Sequence, residues 1–220
     1  MPELDTAAVA GLFADRSRVA MVELLLDGRE HALSALAGAA RIAPSTAAGH
    51  LSLLERGGIV ASRRQGRNRF VRLAGPEGAA AYEALAELAP EARVTSLRES
   101  THRERLAAAR TCYDHLAGRL GVGLTDAALA ADALTPDFAL GPSAGVWFRR
   151  LGVDLDTLPR SRRPFIRVCV DWTERREHLA GSLGAAVCTA LLDAGWVART
   201  PSSRALAVTP RGESELALLI

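Results

Sequence analysis

One stretch near the start of the chain restricts the fold more than any other, because several local signals follow one another in a fixed order. Residues 43–70 read APSTAAGHLSLLERGGIVASRRQGRNRF. Leucines at helical spacing are followed by Gly57 and Gly58, which end a helix. The alternation in IVASRR predicts a strand, the glycine in QGRN a turn, and RFVRL a returning strand. The stretch therefore predicts a helix over about residues 45–56, followed by a β-hairpin.

The residues upstream predict two further helices. Apolar residues at a spacing of three to four indicate a helix over residues 4–27, with a break or a new N-cap at Asp15. A short Ala/Leu-rich helix is expected over residues 31–40, and Ser45 or Thr46 would cap the third helix. The order helix, helix, turn, helix and β-hairpin predicts a winged helix-turn-helix.

Small side chains and arginines in this segment suit contact with double-stranded DNA. A helix that enters the major groove, about 12 Å wide, needs short side chains carrying donors and acceptors. The hairpin region carries six arginines and no acid between Arg56 and Arg72, whereas the whole chain has a net charge of only +2. Such arginines can contact phosphates or enter the minor groove. The candidate DNA-binding residues are Arg41, Ser45, Thr46, Ala48, Gly49, His50, Ser52, Arg63, Arg64, Arg67, Asn68 and Arg69.

Each of these two features also has a structural explanation. Small residues allow helices to pack closely, and arginines can form a solvated rim. It is their succession along the chain that favours DNA binding over these alternatives.

The same segment resembles the ArsR (arsenic-repressor) type of winged-helix transcriptional regulator over roughly the first third of the chain. The resemblance implies a homodimer on a two-fold-related operator, which represses until an effector binds. The matching residues are Leu12-Phe13-Ala14-Asp15 with Arg18, Ser45-Thr46, Gly49-His50-Leu51, Leu54, Gly58-Ile59-Val60 and Arg64-Gln65-Gly66-Arg67.

One departure from this type concerns its metal sensor. Metal-sensing members carry Cys-x-Cys in the helix before the recognition helix, and this sequence has HALSALAG there. The signal that controls DNA binding is therefore expected to act elsewhere.

The second half of the chain contains an internal repeat. CYDHLAGRLG at residues 112–121 recurs as CVDWTERREHLAGSLG at residues 169–184, with about six residues inserted. We predict a DNA-binding domain over residues 1–75, a linker and helical dimerisation region over 76–110, and a duplicated domain over 111–220, with repeats at about 111–158 and 165–220. The repeats are interpreted as degenerate winged-helix-like units whose Cys-bearing segments are helices. The expected fold class is mainly α with short β-hairpins (α+β).

The repeats hold a group of residues that could bind an effector, and three interpretations of them remain open. In one, cysteine, histidine and carboxylate ligands hold a metal ion, although the spacing lacks a paired Cys-x-x-Cys. In another, a pocket between the repeats binds a small molecule, with an apolar wall and an arginine clamp. In the third, the residues only pack the helices. They are Cys112, His115, Cys169, Asp171, Trp172, Arg175 and His178.

The remaining expectations concern enzyme activity and location. No glycine-rich elbow or oxyanion motif accompanies the Cys/His residues, so no catalytic site is expected, and no cofactor other than the metal ion of the first interpretation. Cys188, among Ala, Val and Leu, is expected in the core. Three scattered cysteines, no leader and no long apolar run predict a cytoplasmic protein with reduced thiols and no membrane contact.

Overall fold

A computed structural model of the chain describes residues 4–90, 96–159, 163–201 and 203–220. The chain divides into two compact units, Met1–Ala86 with Ser202–Arg204, and Glu87–Pro201 with Ala205–Ile220. Helices and short antiparallel hairpins make up both units, so the predicted α+β class is confirmed. None of the helices in the described ranges combines the length and the apolar character that a membrane span needs.

The first unit has the order of elements predicted for a winged helix-turn-helix. Its strands form one antiparallel sheet in the order β1-β3-β2. Buried residues such as Leu25, Leu36, Leu51 and Val71 connect the helices with this sheet. The elements are α1 (Thr6–Phe13), α2 (Arg16–Leu25), β1 (His31–Ala32), α3 (Leu33–Ala40), α4 (Pro44–Arg56), β2 (Val60–Gln65), β3 (Asn68–Leu73) and α5 (Pro76–Leu88).

Local interactions explain the helix boundaries in this unit. The Asp15 carboxylate accepts hydrogen bonds from the backbone amides of Ser17 and Arg18, both at 2.9 Å, so the predicted break between α1 and α2 is confirmed. The predicted side-chain cap of α4 is wrong. Its N-cap is Ala43, which makes no side-chain hydrogen bond, because Pro44 begins the helix and needs no amide partner there.

Residue His31 also departs from the prediction of a helix over residues 31–40. It lies in strand β1, and its Nε2 atom is 2.9 Å from the Asp27 carboxylate. Asp27 is 1% exposed and also accepts a hydrogen bond from the Arg29 backbone amide. This buried carboxylate fixes the path of the chain from α2 into the sheet.

The second unit repeats the succession of a hairpin and a long helix. Strands β4 and β5 form the first hairpin and β6 and β7 the second. The elements are α6 (Leu97–Ala108), β4 (Arg110–Cys112), β5 (His115–Ala117), α7 (Gly118–Ala130), α8 (Ala144–Arg150), a 3₁₀ turn (Leu155–Thr157), β6 (Arg167–Asp171), β7 (Arg176–Ala180), α9 (Gly181–Asp193), β8 (Val197–Arg199), β9 (Leu206–Val208) and α10 (Pro210–Leu216).

The Cys-bearing segments are strands, which corrects the prediction that they are helices. In the first hairpin Cys112 pairs with His115 across a two-residue turn, where Tyr113 has a φ of 65°. In the second hairpin Cys169 pairs with His178, and the inserted residues lengthen both strands and the turn. The relation of Cys112 to His115 is therefore that of opposite residues in a ladder, not of residues i and i+3 on a helix.

The long helix of each copy packs against the hairpin of the other copy. The backbone amide of Leu179 in β7 donates to the Thr125 hydroxyl of α7 at 2.9 Å. On the other side, a Cβ atom on Gly184 of α9 would lie 3.3 Å from the Cβ atom of His115 in β5. The two copies are thereby joined into one core, which contains Phe148, Leu183 and other apolar residues.

A buried ion pair also joins the two copies. The guanidinium of Arg110 is fully buried and donates to the Asp171 carboxylate at 2.9 Å. It also donates to the Thr173 hydroxyl at 3.1 Å and lies over the Trp172 ring, 4.8 Å from its centroid. The same carboxylate accepts from the Gly118 backbone amide at 2.6 Å. This arrangement satisfies two charges inside the protein, as burial requires.

Candidate functional site

Helix α4 presents a slim, exposed face at its N-terminal half. Ser45, Thr46 and Gly49 are exposed, and a Cβ atom on Gly49 would meet nothing within 4 Å. Ala48 and Ser52 are half-buried, and the Ser52 hydroxyl donates to the Ala48 carbonyl at 2.9 Å. Leu51 and Leu54 are buried on the opposite side. This is the geometry of a helix that can approach base edges.

His50 is held within the first unit. Its Nδ1 atom lies 3.4 Å from Arg18 and 3.9 Å from the Asp15 carboxylate, and its side chain is half-buried. Arg18 in turn donates to the carbonyl of Leu12. The histidine therefore connects α4 to the end of α1 and the start of α2. Arg41, another predicted contact, is exposed and ends α3 in the left-handed region.

Two of the predicted wing arginines are paired with acids. Arg63 donates to Glu30 at 2.7 Å and lies over the Phe70 ring, 5.1 Å from its centroid. Arg69 donates to Glu55 at 2.7 Å. The hydrogen bond from Arg63 lowers the pKa of Glu30, and hydrogen bonds from the Ser62 hydroxyl and from Arg69 lower that of Glu55. These two acids were absent from the candidates because they lie outside the arginine-rich segment.

The other two wing arginines flank the tip of the hairpin. Arg64, Arg67 and Asn68 are exposed around the turn at Gly66. Within the described residues, neither Arg64 nor Arg67 has a hydrogen bond or an ion pair. Their charges are available for an external anion such as a phosphate.

In the second unit, four of the seven effector candidates come together. The donor cluster consists of Cys112, His115, Cys169 and His178, whose ligand atoms all lie within 4.8 Å of one another. The two sulfur atoms are 3.9 Å apart, and the imidazole rings are stacked with centroids 5.1 Å apart. Each hairpin supplies one cysteine and the histidine opposite it in the ladder.

The donor cluster lies inside the protein, with one side chain nearer to solvent. Cys112 and His115 are each 2% exposed and His178 is 1% exposed, whereas Cys169 is half-buried. Among the described residues, neither ring nitrogen of His178 has a hydrogen-bond partner. Such buried nitrogen atoms are costly unless something pairs with them.

Asp114 holds one histidine of the cluster in place. Its Oδ1 atom is 3.3 Å from Nδ1 of His115, and it also forms a two-point ion pair with Arg163. Burial opposes its ionisation, but the hydrogen bonds from His115 and Arg163 prevail and lower the pKa of Asp114 to about 2. The sequence offered a signal for this residue, because Cys-x-Asp occurs in both copies.

Within the cluster, the pKa of one cysteine is lowered and the pKa of one histidine is raised. The interaction with Cys112, followed by those with His115 and His178, lowers the pKa of Cys169 despite its burial. Burial opposes the charged form of His115, but Asp114 and the Cys169 sulfur outweigh it and raise its pKa. By contrast, burial raises the pKa of Cys188 to about 12. Cys188 is a core thiol, as predicted.

The other three effector candidates lie apart from the cluster. Asp171 and Trp172 belong to the buried arrangement around Arg110. Arg175 is exposed in the turn of the second hairpin, with a φ of 52°. A small apolar cavity lies between helices α7, α8 and α9, near Trp147 and Phe148, and its volume of about 20 Å³ is room for a water molecule.

Comparison with known proteins assigns the chain to a class. No protein-family model matches it. The uncharacterized HTH-type transcriptional regulator YdfF of Bacillus subtilis strain 168 is 37% identical over 210 residues, which span 94% of this chain and 93% of that protein.

Two solved structures are similar to the N-terminal part of the chain. HlyU from Vibrio cholerae N16961 is 27% identical, over 37% of this chain and 88% of that chain, with a TM-score of 0.34. The homodimeric winged helix-turn-helix DNA-binding domain of Mb0332 from Mycobacterium bovis is 33% identical, over 37% of this chain and 74% of that one, with a TM-score of 0.33. Because these TM-scores are low, the assignment rests on the full-length Bacillus relative. The chain belongs to the HTH-type transcriptional regulators.

Proposed function

We propose that this regulator binds double-stranded DNA with helix α4 in the major groove and the tip of the β2–β3 hairpin on the flanking backbone or minor groove. The observation that carries the proposal is an exposed, short-chained helix face together with Arg64 and Arg67 at the hairpin tip, which have no partner within the described residues. Ser45, Thr46 and Gly49 would approach base edges. Arg63 and Arg69, which are paired with acids, would contribute less.

We propose further that the protein is a homodimer that represses transcription from a two-fold-related operator in the cytoplasm and has no enzymatic role. The resemblance of the first third of the chain to ArsR-type regulators supports this assembly. Helix α1 adds support, since it is rich in apolar residues, none of its residues is buried, and Val9 is 46% exposed. An exposed apolar helix is typical of a surface that another chain covers.

Salt-dependent DNA binding tests the wing assignment. The probe is the DNA upstream of the protein's own gene, and fluorescence anisotropy gives the affinity at several salt concentrations. The double variant Arg64→Ala/Arg67→Ala should bind more weakly and lower the slope of log K against log salt by roughly two, one per lost phosphate contact.

A matched control removes the same charge elsewhere. Arg149→Ala/Arg211→Ala changes two exposed arginines, in helices α8 and α10, outside the predicted dimerisation region, and should leave the slope unchanged. Equal slopes for the wing variant and the wild-type protein would contradict the proposed role of the wing.

The second unit is proposed to control this DNA binding. Two kinds of effector could act on it, an organic molecule and a metal ion or thiol reagent. The donor cluster holds four ligand atoms together, and the apolar cavity between α7, α8 and α9 has room for a water molecule. The cluster therefore favours a metal- or thiol-responsive regulator.

A further inference from the structure

We propose that Cys112, His115, Cys169 and His178 bind one zinc-type divalent cation in tetrahedral coordination, with two ligands from each copy of the repeat. A regulatory role for this metal site rests on the proposed function, in which the second unit controls DNA binding. The experiments below measure metal coordination and not DNA binding, so the metal site and the control of DNA binding can be disproved separately.

The distances between the donor atoms fit such a site. With Zn–S bonds of about 2.3 Å, the two sulfur atoms of a tetrahedral site lie about 3.8 Å apart. The observed sulfur–sulfur distance is 3.9 Å, and no pair of the four ligand atoms is further apart than 4.8 Å. Small rotations of the imidazole rings would bring the nitrogen atoms to bonding distance.

The register of the hairpins explains how four ligands from distant parts of the sequence converge. Residues directly opposite each other in an antiparallel ladder point to the same face. Cys112 and His115 therefore share one face of the first hairpin, and Cys169 and His178 share one face of the second. The stacking of the two histidine rings brings these faces together.

Charge balance favours a divalent ion at this buried position. The bound form has two metal–thiolate bonds and neutral imidazole ligands, so every proton that the four ligand atoms carry beforehand leaves for solvent as one dication enters. Two thiolates and one dication sum to a neutral centre, which a protein interior tolerates far better than an isolated charge. The half-buried side chain of Cys169 provides a route for entry.

The neighbours of the cluster match the usual support of a metal-bound histidine. Metal-binding histidines commonly donate their other ring N–H to a carboxylate. Here Asp114 lies at Nδ1 of His115, at 3.3 Å, which leaves Nε2 for the ion. Arg163 fixes Asp114 from its other side. Metal coordination would also give one of the two ring nitrogens of His178 a partner, which both lack among the described residues.

Cobalt titration of the reduced, full-length protein tests the proposal. Co²⁺ should bind with a stoichiometry of one per chain and give the visible bands of tetrahedral cobalt together with thiolate-to-cobalt charge transfer. Zn²⁺ should then displace it and abolish both signals. A folded, reduced protein without these bands overturns the proposal.

Two variants and a matched control locate the ligands. Cys112→Ser and His178→Gln should each weaken binding by at least about tenfold, the scale typical of a disturbed metal shell. Cys188→Ala removes the third thiol, which lies in the apolar core, and should leave the spectrum unchanged. Spectra that are unchanged in Cys112→Ser, or lost only in Cys188→Ala, overturn the assignment.

Thiol labelling keeps the proposal testable if a ligand variant does not fold. In the wild-type protein under reducing conditions, Zn²⁺ should slow the alkylation of Cys169, measured by peptide mass spectrometry. Equal alkylation rates with and without Zn²⁺ overturn the proposal. So does a Cys112–Cys169 disulfide that persists under reductant, because it would leave no thiolates for a metal.

Discussion

The β-hairpin of the first unit exposes its charged side chains, whereas the hairpins of the second unit bury most of their cysteine and histidine side chains. In the wing, Arg64 and Arg67 are exposed around the turn and have no partner within the described residues. In the β4–β5 and β6–β7 hairpins, three of the four donor residues are almost completely buried. The same two-stranded element exposes arginines in one unit and buries a cluster of cysteine and histidine side chains in the other.

The degree to which other elements cover a hairpin therefore determines what its polar residues can do. The tip of the wing, residues 63–68, is exposed, so its charges stay in water and need no partner inside the protein. The hairpins of the second unit are covered by α7 and α9, each from the other copy. Ionised groups there must be paired, and removing one partner should have a much larger effect than at the wing.

The largest effect is expected at Arg110. Arg110→Ala leaves the Asp171 carboxylate buried without its counter-charge, so we expect the free energy of unfolding of the second unit to fall by about 3–5 kcal/mol. Urea denaturation followed by tryptophan fluorescence reports on this unit, because Trp147, Trp172 and Trp196 all lie in it.

A surface ion pair provides the control. Arg119→Ala removes an arginine that pairs with Glu104 in solvent and should cost at most about 1 kcal/mol. Similar losses in the free energy of unfolding for Arg110→Ala and Arg119→Ala would show that the buried ion pair contributes no more than the exposed one.

A smaller effect, which depends on pH, is expected at Asp27, a buried carboxylate just after the C-terminal end of α2. Burial opposes the ionisation of Asp27, but hydrogen bonds from His31 and Arg29 prevail, and its pKa lies below the usual 3.8. A lowered pKa stabilises the folded state at pH values above 3.8, and this stability is lost as the pH falls through the folded-state value.

Asp27→Asn should therefore lower stability at neutral pH by about 1–3 kcal/mol and flatten the loss of stability on acidification. Urea unfolding at a series of pH values, followed by far-UV circular dichroism, measures both. A variant that is as pH-sensitive as the wild type between neutral pH and pH 3 would show that Asp27 is not the group responsible.

The smallest effect is expected at the wing, where the charges are in water. Glu30→Gln releases Arg63 and should tighten DNA binding by no more than about 1 kcal/mol while raising the salt slope by about one. Glu77→Gln, at an exposed position in the first turn of α5, removes the same charge from a residue outside the wing and controls for net charge. If Glu30→Gln and Glu77→Gln change the affinity and the salt slope equally, the ion pair with Glu30 does not keep Arg63 from contacting DNA.

The first unit could be predicted from sequence because its signals are local. Asp15 as a cap, Gly58 after α4 and the turn at Gly66 each act on neighbouring residues, and the structure has all three. The pairing of Arg63 with Glu30 could not be predicted, since it depends on strand β1 bringing distant residues to the sheet.

The second unit was harder to predict because its strands are very short. Strands of three residues, such as β4 and β5, show no alternation, so Cys112 and His115 suited a helix equally well. The six residues inserted in the second copy argue against a helix. In a helix they would turn His178 by about 240° away from the position that His115 has relative to Cys112. In a hairpin, both strands can lengthen while Cys169 and His178 stay opposite each other.

Because α9 of the second copy packs on the first hairpin, the first copy cannot complete its packing until the second copy has been synthesised. When the first hairpin leaves the ribosome, the helix that covers it and the second half of its donor set have not yet been translated. Cys169 follows Cys112 by about 60 residues, which takes roughly 3–12 s at usual rates of translation. During that interval Cys112 has neither α9 nor Cys169 to pack against, so slower translation would lengthen the time for which its thiol can meet an oxidant.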